Sequence, residues 1–259
     1  GRHRESSGNA LAITDRPGHC PENSSRGNGK DHNELIKKEW GALEFIQGAL
    51  VFPVAMQLEF NIMSSCQLSA SELKKNIKAC TLCEVDLPFP PKPVFSFSAR
   101  SKILIVGQAP GIKVHESGIP WNDASGDRLR EWMKVSKEQF YNTKYFSIVP
   151  MGFCYPGKGK SGDLPPRPEC AEKWMSSILD KLPKRQITLL IGQYAQAWFL
   201  QSRKKATLTE TVKSWKLYLP DYFVLPHPSP RNNIWLKKNP WFEKQLVPKL
   251  EKKIGELMS

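Results

Sequence analysis

"KILIVGQAPG", residues 102–111, joins the apolar run Ile103-Leu104-Ile105 to a loop made largely of glycine and proline. A short apolar run closed by turn residues reads as a buried strand, with the loop leaving its carboxyl end. Three more runs have the same character: "YFSIV" at 145–149, "QITLLI" at 186–191 and "DYFVL" at 221–225. Between them lie "GDRLREWMKVS" (126–136), "CAEKWMSSILDKL" (170–182) and "GQYAQAWFLQS" (192–202), each with apolar residues three and four apart, the period of a helix. Strands alternating with helices predict an α/β fold: a three-layer α/β/α sandwich around a central four-stranded parallel sheet. Ligands in such sheets bind outside the carboxyl ends of the strands, where "GQAPG" (107–111), "PMGFC" (150–154) and "HPSPRNN" (227–233) all fall. The first of these loops shapes a backbone for close approach but carries no acid, base or nucleophile.

Upstream, "SASELKKNIKAC" (69–80) offers a Ser69-x-x-Glu72 capping box and sets Leu73, Ile77 and Cys80 on one helical face. Residues 1–33, rich in Ser, Gly, Asn and charge, show no periodic apolar face and read as disordered. Residues 34–62 are apolar but interrupted by Glu44, Gln47, Pro53, Gln57 and Glu59, and read as an accessory segment without chemistry. The expected organisation is an extension over 1–62 followed by one α/β domain over 63–259.

A formal charge of +13 over 259 residues favours a polyanionic partner, because Lys and Arg gain affinity by displacing counterions from phosphates. A membrane surface would also be attracted, so charge alone does not choose. There is no run of about eighteen uncharged apolar residues and no basic-then-apolar leader, which leads to the expectation of a soluble, intracellular, cytoplasmic protein associated with the nucleoid rather than a membrane. A monomer is expected.

In a reducing compartment six cysteines point to metal ligation rather than disulfides. Four stand as Cys80-x2-Cys83 and Cys154-x15-Cys170, with Cys20 and Cys66 outside the pattern. The second pair closes a Pro- and Gly-rich loop that cannot build a core of its own and needs a staple. An iron–sulfur cluster and a structural zinc both suit four thiolates; the competing reading is four unrelated buried thiols.

His227 stands at the end of the last strand, where an imidazole can donate to charge developing on a leaving group or can bond to backbone. Ser229, Arg231, Asn232 and Asn233 beside it suit phosphate contacts, with Lys237 and Lys238 close behind, whereas Trp235 and Trp241 read as packing residues. In "SGIPWNDASGDRLREWM" (117–133), Asp123 precedes a helix starting near Ser125 and is either its cap or a catalytic acid, while Asp127 reads as a first-turn acid.

Taken together, these pieces resemble the uracil-DNA glycosylase superfamily, specifically its bacterial and archaeal iron–sulfur branches, the fourth and fifth families, over roughly residues 70–250. "GQAPG" resembles the first motif of that superfamily and "HPSPRN" its second, in which the histidine contacts the uracil carbonyl and the following residues insert into the DNA groove. The likeness therefore implies that Gly107, Gln108, Ala109, Pro110 and Gly111 floor a base pocket, and that Ser229, Pro230, Arg231 and Asn232 meet DNA. "GIPWNDASGDRL" resembles the segment supplying an aromatic stacking partner for the base, which implies that role for Trp121. The four cysteines match the cluster-ligating pattern, implying a structural 4Fe-4S group on Cys80, Cys83, Cys154 and Cys170, with zinc as the alternative. This group would pin a loop whose Lys158 and Lys160 face DNA.

Two departures stand out. Many members carry Asp, Asn or Glu in the first motif to position water, where this chain has Gln108; one branch uses an Asp-Ala-Ser-Gly-Asp segment instead, matched here by residues 123–127. An Asn that usually reads the pyrimidine edge corresponds to Pro150, which has no amide to offer; this leaves three alternatives, that backbone groups of Gln108, Met151 or Gly152 read the base, that a broader set of deaminated bases is accepted, or that activity is lost. The implied function is a monofunctional DNA glycosylase, a hydrolase of base-excision repair, acting on uracil or another deaminated base in DNA with Asp123 and His227 as its catalytic residues. The rival readings are a noncatalytic nucleic-acid-binding protein on the same scaffold and a zinc-stabilised enzyme of nucleotide or other phosphate chemistry.

Overall fold

In a computed structural model of the chain, residues 68–160 and 162–259 are described, together with residues 45–46 and 49–50. The chain divides into two compact units, Gly1–Met63 and Ser64–Ser259. In the first, β1 (Phe45–Ile46) pairs antiparallel with β2 (Ala49–Leu50), Phe45 opposite Leu50. The expectations for the rest of residues 1–62, and for Cys20 and Cys66, lie outside the described residues.

The second unit opens with α1 (Ala70–Lys78), and its start is the predicted capping box: Ser69 Oγ accepts the Glu72 N–H at 3.2 Å while Glu72 Oε2 accepts the Ser69 N–H at 2.8 Å. There follow β3 (Ile103–Val106), α2 (Ile112–Ser117), α3 (Ala124–Met133), α4 (Lys137–Tyr141), β4 (Phe146–Ile148), α5 (Pro168–Asp180), β5 (Ile187–Ile191), α6 (Gly192–Leu200), α7 (Leu208–Lys213), β6 (Tyr222–Leu225), α8 (Asn233–Lys238) and α9 (Val247–Met258). The four strands β3–β6 are the four apolar runs read from the sequence, each trimmed at its first residue and β4 also at its last. They form one sheet in the order β4-β3-β5-β6 with every pairing parallel; Ile103 stands opposite Phe146 on one side and Ile187 on the other.

All of β3 and β5 is buried, as expected of strands covered on both faces. The two-residue period of the strand then deals side chains to two cores. Ile103, Ile105, Leu189 and Ile191 pack with Leu129, Trp132 and Met133 of α3 and with α9. Leu104, Val106 and Leu190 pack with Leu73 and Ile77 of α1, Met175 and Ile178 of α5 and Ala195 of α6. The predicted three-layer sandwich is therefore observed.

The helix α9 completes one layer. Val247, Leu250, Ile254 and Leu257 recur at three- and four-residue spacing and are buried, each contributing about 1.5–3 kcal/mol relative to exposure. Parallel connectivity sends all four strands toward one end, so the loops after β3, β4, β5 and β6 converge there.

Candidate active site and thiol cluster

Those loops enclose a cavity of about 630 Å³. Its floor is Gly107–Gly111, with Ile112, Lys113 and Val114 of α2 beside it. Pro150 follows β4, Gln193 lies in the first turn of α6, and His227, Ser229, Arg231 and Asn232 follow β6. Trp121, Asp123 and Ser125 close it from the start of α3, and Gly162 and Asp163 from the loop between Cys154 and Cys170. Asp123 and His227 thus open into the same cavity.

The form of His227 can be read from its neighbours. The Ser229 N–H donates to His227 Nδ1 at 3.2 Å, so Nδ1 is an acceptor and the neutral ring carries its proton on Nε2. Burial pushes the imidazole below its ordinary pKa, against a smaller upward pull from Asp123. Asn232 Nδ2 donates to the His227 carbonyl at 2.7 Å and fixes the backbone beneath the ring. The result is a neutral donor held in one tautomer.

Asp123 is the helix cap that the sequence allowed, its Oδ1 accepting the Gly126 N–H at 2.9 Å at the N-cap of α3, and it also faces the cavity. The turn before it is tightly determined. Trp121 sits at φ 58°, a left-handed conformation unusual for a large side chain, and its carbonyl accepts from Arg130 Nη1 at 3.3 Å. Arg130 is buried and paired with Asp127 at 2.6 Å, so Asp127 serves the helix rather than the cavity. Gly126 is required here, since a Cβ would stand 1.8 Å from the Trp121 carbonyl oxygen. The indole stacks on His227 with ring centroids 5.6 Å apart and crosses Gly107, where a Cβ would meet it at 2.8 Å. Arg128 Nη1 donates to the Ser229 carbonyl at 3.1 Å, tying α3 to the loop after β6.

Two expected pocket positions need correction. Met151 and Gly152 do not line the cavity: their N–H groups donate to the carbonyls of Gly107 and Gln108 at 2.9 and 3.0 Å, so they brace the floor from behind and have no amide left for a base. The Gln108 side chain, which lines the cavity, donates through Nε2 to the Leu164 carbonyl at 3.0 Å and clamps the neighbouring loop. Pro230, Lys158 and Lys160, the expected DNA contacts, are exposed and do not line the cavity. Trp235 and Trp241 pack on Phe242, with centroids 5.7 and 6.3 Å away.

Asp163, Gln193 and Lys113 were not singled out in the sequence. Asp163 is a second carboxylate at the cavity. Burial raises its pKa above the ordinary value, Arg231 opposes that shift, and Asp123 adds to it.

The four cysteines are unbridged thiols; Cys83 and Cys170 are buried and Cys80 and Cys154 partly so. Burial pushes Cys83 up, Cys154 to about 11 and Cys170 to about 12. Every pair among the four lies within electrostatic reach, since Cys83 feels Cys80, Cys154 feels both, and Cys170 feels all three. The two chain segments are also joined by Arg167, whose Nη2 meets Asp86 at 2.8 Å and Glu169 at 2.5 Å; with partly exposed partners this contributes about 0–1 kcal/mol. Among the described residues no group of three or more His, Cys, Asp or Glu that could hold a metal ion is found. No helix among the described residues is long and apolar enough to cross a membrane. Comparison with known families finds that the model described as the uracil DNA glycosylase superfamily matches residues 95–251.

Proposed function

The chain belongs to the uracil DNA glycosylase superfamily, and from that premise we propose that it hydrolyses the N-glycosidic bond of uracil or a related deaminated base in DNA, as a monofunctional glycosylase. The observation that carries the reading is the single cavity shared by a neutral, tautomer-fixed His227 and the Asp123 carboxylate, at the carboxyl ends of a parallel sheet.

The substrate nucleotide leaves the base stack and enters the cavity, at lower cost where the base is mispaired. As the C1′–N bond breaks, negative charge grows on the base and positive charge on the sugar. His227 Nε2–H and backbone N–H groups of the 107–111 loop stabilise the departing base, each donor worth about 2.7–4 kcal/mol in a water-poor site. Asp123 keeps Oδ1 on the helix cap and offers its second oxygen to the sugar cation. Ser229, Arg231 and Asn232 meet the DNA beside the cavity, with Lys158 and Lys160 on the adjacent loop. With Pro150 in place and the amides of Met151 and Gly152 engaged, the groups expected to read the pyrimidine edge are missing, which favours a range of deaminated bases over one.

Cys80, Cys83, Cys154 and Cys170 would hold a 4Fe-4S cluster. The support is an all-thiol donor set, drawn from two chain segments and within mutual electrostatic reach; zinc, which four thiolates also suit, is the alternative. When bound, the group supplies a structural crosslink, and hydrolysis asks no redox step of it.

The test is abasic-site formation on oligonucleotides carrying uracil, hypoxanthine or xanthine. Release from at least one is expected. Salt-sensitive DNA binding with every base left intact would instead identify a noncatalytic binder.

A further inference from the structure

We propose that Asp163 is a catalytic residue of this site, its carboxylate holding the attacking water; the assignment rests on the glycosylase reading above. The floor loop Gly107–Gly111 contains no acid. Asp163 supplies one from the side: its Oδ2 lies 3.3 Å from where a Cβ on Gly111 would stand, so the carboxylate rests against the last residue of that loop. A Cβ at position 111 would press on it, and the carboxylate would have to give by a few tenths of an ångström.

The acid reaches this place because its own loop folds back as a hairpin. Lys158 and Asp163 form an antiparallel bridge, the Gly159 N–H donates to the Gly162 carbonyl at 2.6 Å, and the Leu164 N–H donates to the Gly157 carbonyl at 2.9 Å. The Gln108 side chain then holds the Leu164 carbonyl, fastening the hairpin to the floor one residue beyond Asp163. Cys154 and Cys170 bracket the whole segment.

The two cavity carboxylates differ in their commitments. Asp123 spends one oxygen on the Gly126 N–H, whereas Asp163 takes part in no side-chain hydrogen bond among the described residues. The charged groups facing Asp163 are Asp123 on α3, Arg231 after β6 and Lys158 on its own hairpin. Burial and Asp123 make it a better proton acceptor than a solvated aspartate, against an opposing pull from Arg231 and Lys158. In the step assigned to it, the water oxygen bonds to C1′ as the C1′–N bond breaks, the bonding pair leaves on the base, and the water proton passes to Asp163.

Single-turnover base release by the full chain tests this, with wild type, D163N and D163A compared across pH. D163N is expected to lower the rate about 100-fold or more, the scale of a positioned proton acceptor, to leave duplex affinity unchanged, and to erase the acid limb of the rate–pH profile. Formate is expected to restore part of the rate to D163A. D163N acting at the wild-type rate overturns the assignment and leaves the glycosylase reading standing. A slow D163A that formate does not rescue, with the acid limb intact, reduces Asp163 to a structural part. Wild-type protein inactive on uracil, hypoxanthine and xanthine overturns both readings.

Discussion

Replacing Asp123 separates its two duties, since Asn and Ala remove different parts of it. Its Oδ1 accepts the Gly126 N–H at 2.9 Å at the start of a ten-residue helix that buries Leu129, Arg130, Trp132 and Met133. D123A deletes the cap, which costs about 1 kcal/mol within a range of about 0.5–2. For a unit of this size each kcal/mol lowers Tm by about 2–4 °C. Asn caps as well as Asp, so D123N keeps the hydrogen bond and gives up only the charge at the helix N-terminus, about 0.3–1 kcal/mol. Both variants lose the carboxylate proposed to face the sugar cation, and both are expected to lose base release by about 100-fold, the size of a missing electrostatic contact in a water-poor site. Calorimetry and single-turnover kinetics on the same preparations decide it. D123N with wild-type kinetics, and D123A impaired only in Tm, would show that the carboxylate caps a helix and nothing more.

Other expectations follow from the same geometry. Because His227 is depressed below its ordinary value near 6.5, the unfolded chain takes up a proton first as pH falls, so the folded state loses stability from about pH 6.5 down to the lowered value and loses no more beyond it. Urea unfolding of wild type and H227Q should therefore diverge in slope over that window, and a constant difference across pH would contradict the desolvated imidazole. G126A drives a methyl to 1.8 Å from the Trp121 carbonyl oxygen, so the turn must move and about 1–3 kcal/mol of stability is lost; unchanged Tm and unchanged base release would refute the close approach. C170S is expected to remove iron and acid-labile sulfide and to expose the 155–167 loop to protease, whereas retention of both in the purified variant would contradict the four-thiolate centre.

The sheet was legible because each strand is a short run of apolar residues buried on both faces, and the run itself is the signal. The Ser69–Glu72 box was legible for a similar reason, being complete within four residues. What could not be read were pairings that depend on the chain returning to itself. Asp163 reaches the cavity through a hairpin laid on Gly111, fifty-two positions earlier in the chain, and its own neighbourhood, "SGDLPP", resembles any polar loop. Gln108 invited comparison with water-positioning residues, but its partner is a carbonyl fifty-six positions away. Met151 and Gly152 sit beside a strand end as pocket residues do, and only the parallel pairing of β3 with β4 turns their amides toward Gly107 and Gln108. The left-handed backbone at Trp121 has no local signature, since nothing in "PWND" demands it.

The spacing of the indole and the imidazole has an optical consequence. Two apolar contacts of about 3.5–4 Å need rings about 7–8 Å apart to admit a flat guest between them, and Trp121 and His227 stand at 5.6 Å. A nucleobase can be sandwiched there only if the indole swings outward, away from a ring that can quench it. Docking of a lesion should therefore register as a change in tryptophan emission, visible against the other seven indoles by comparison with W121F, and its rise time would time the arrival of the base separately from its release.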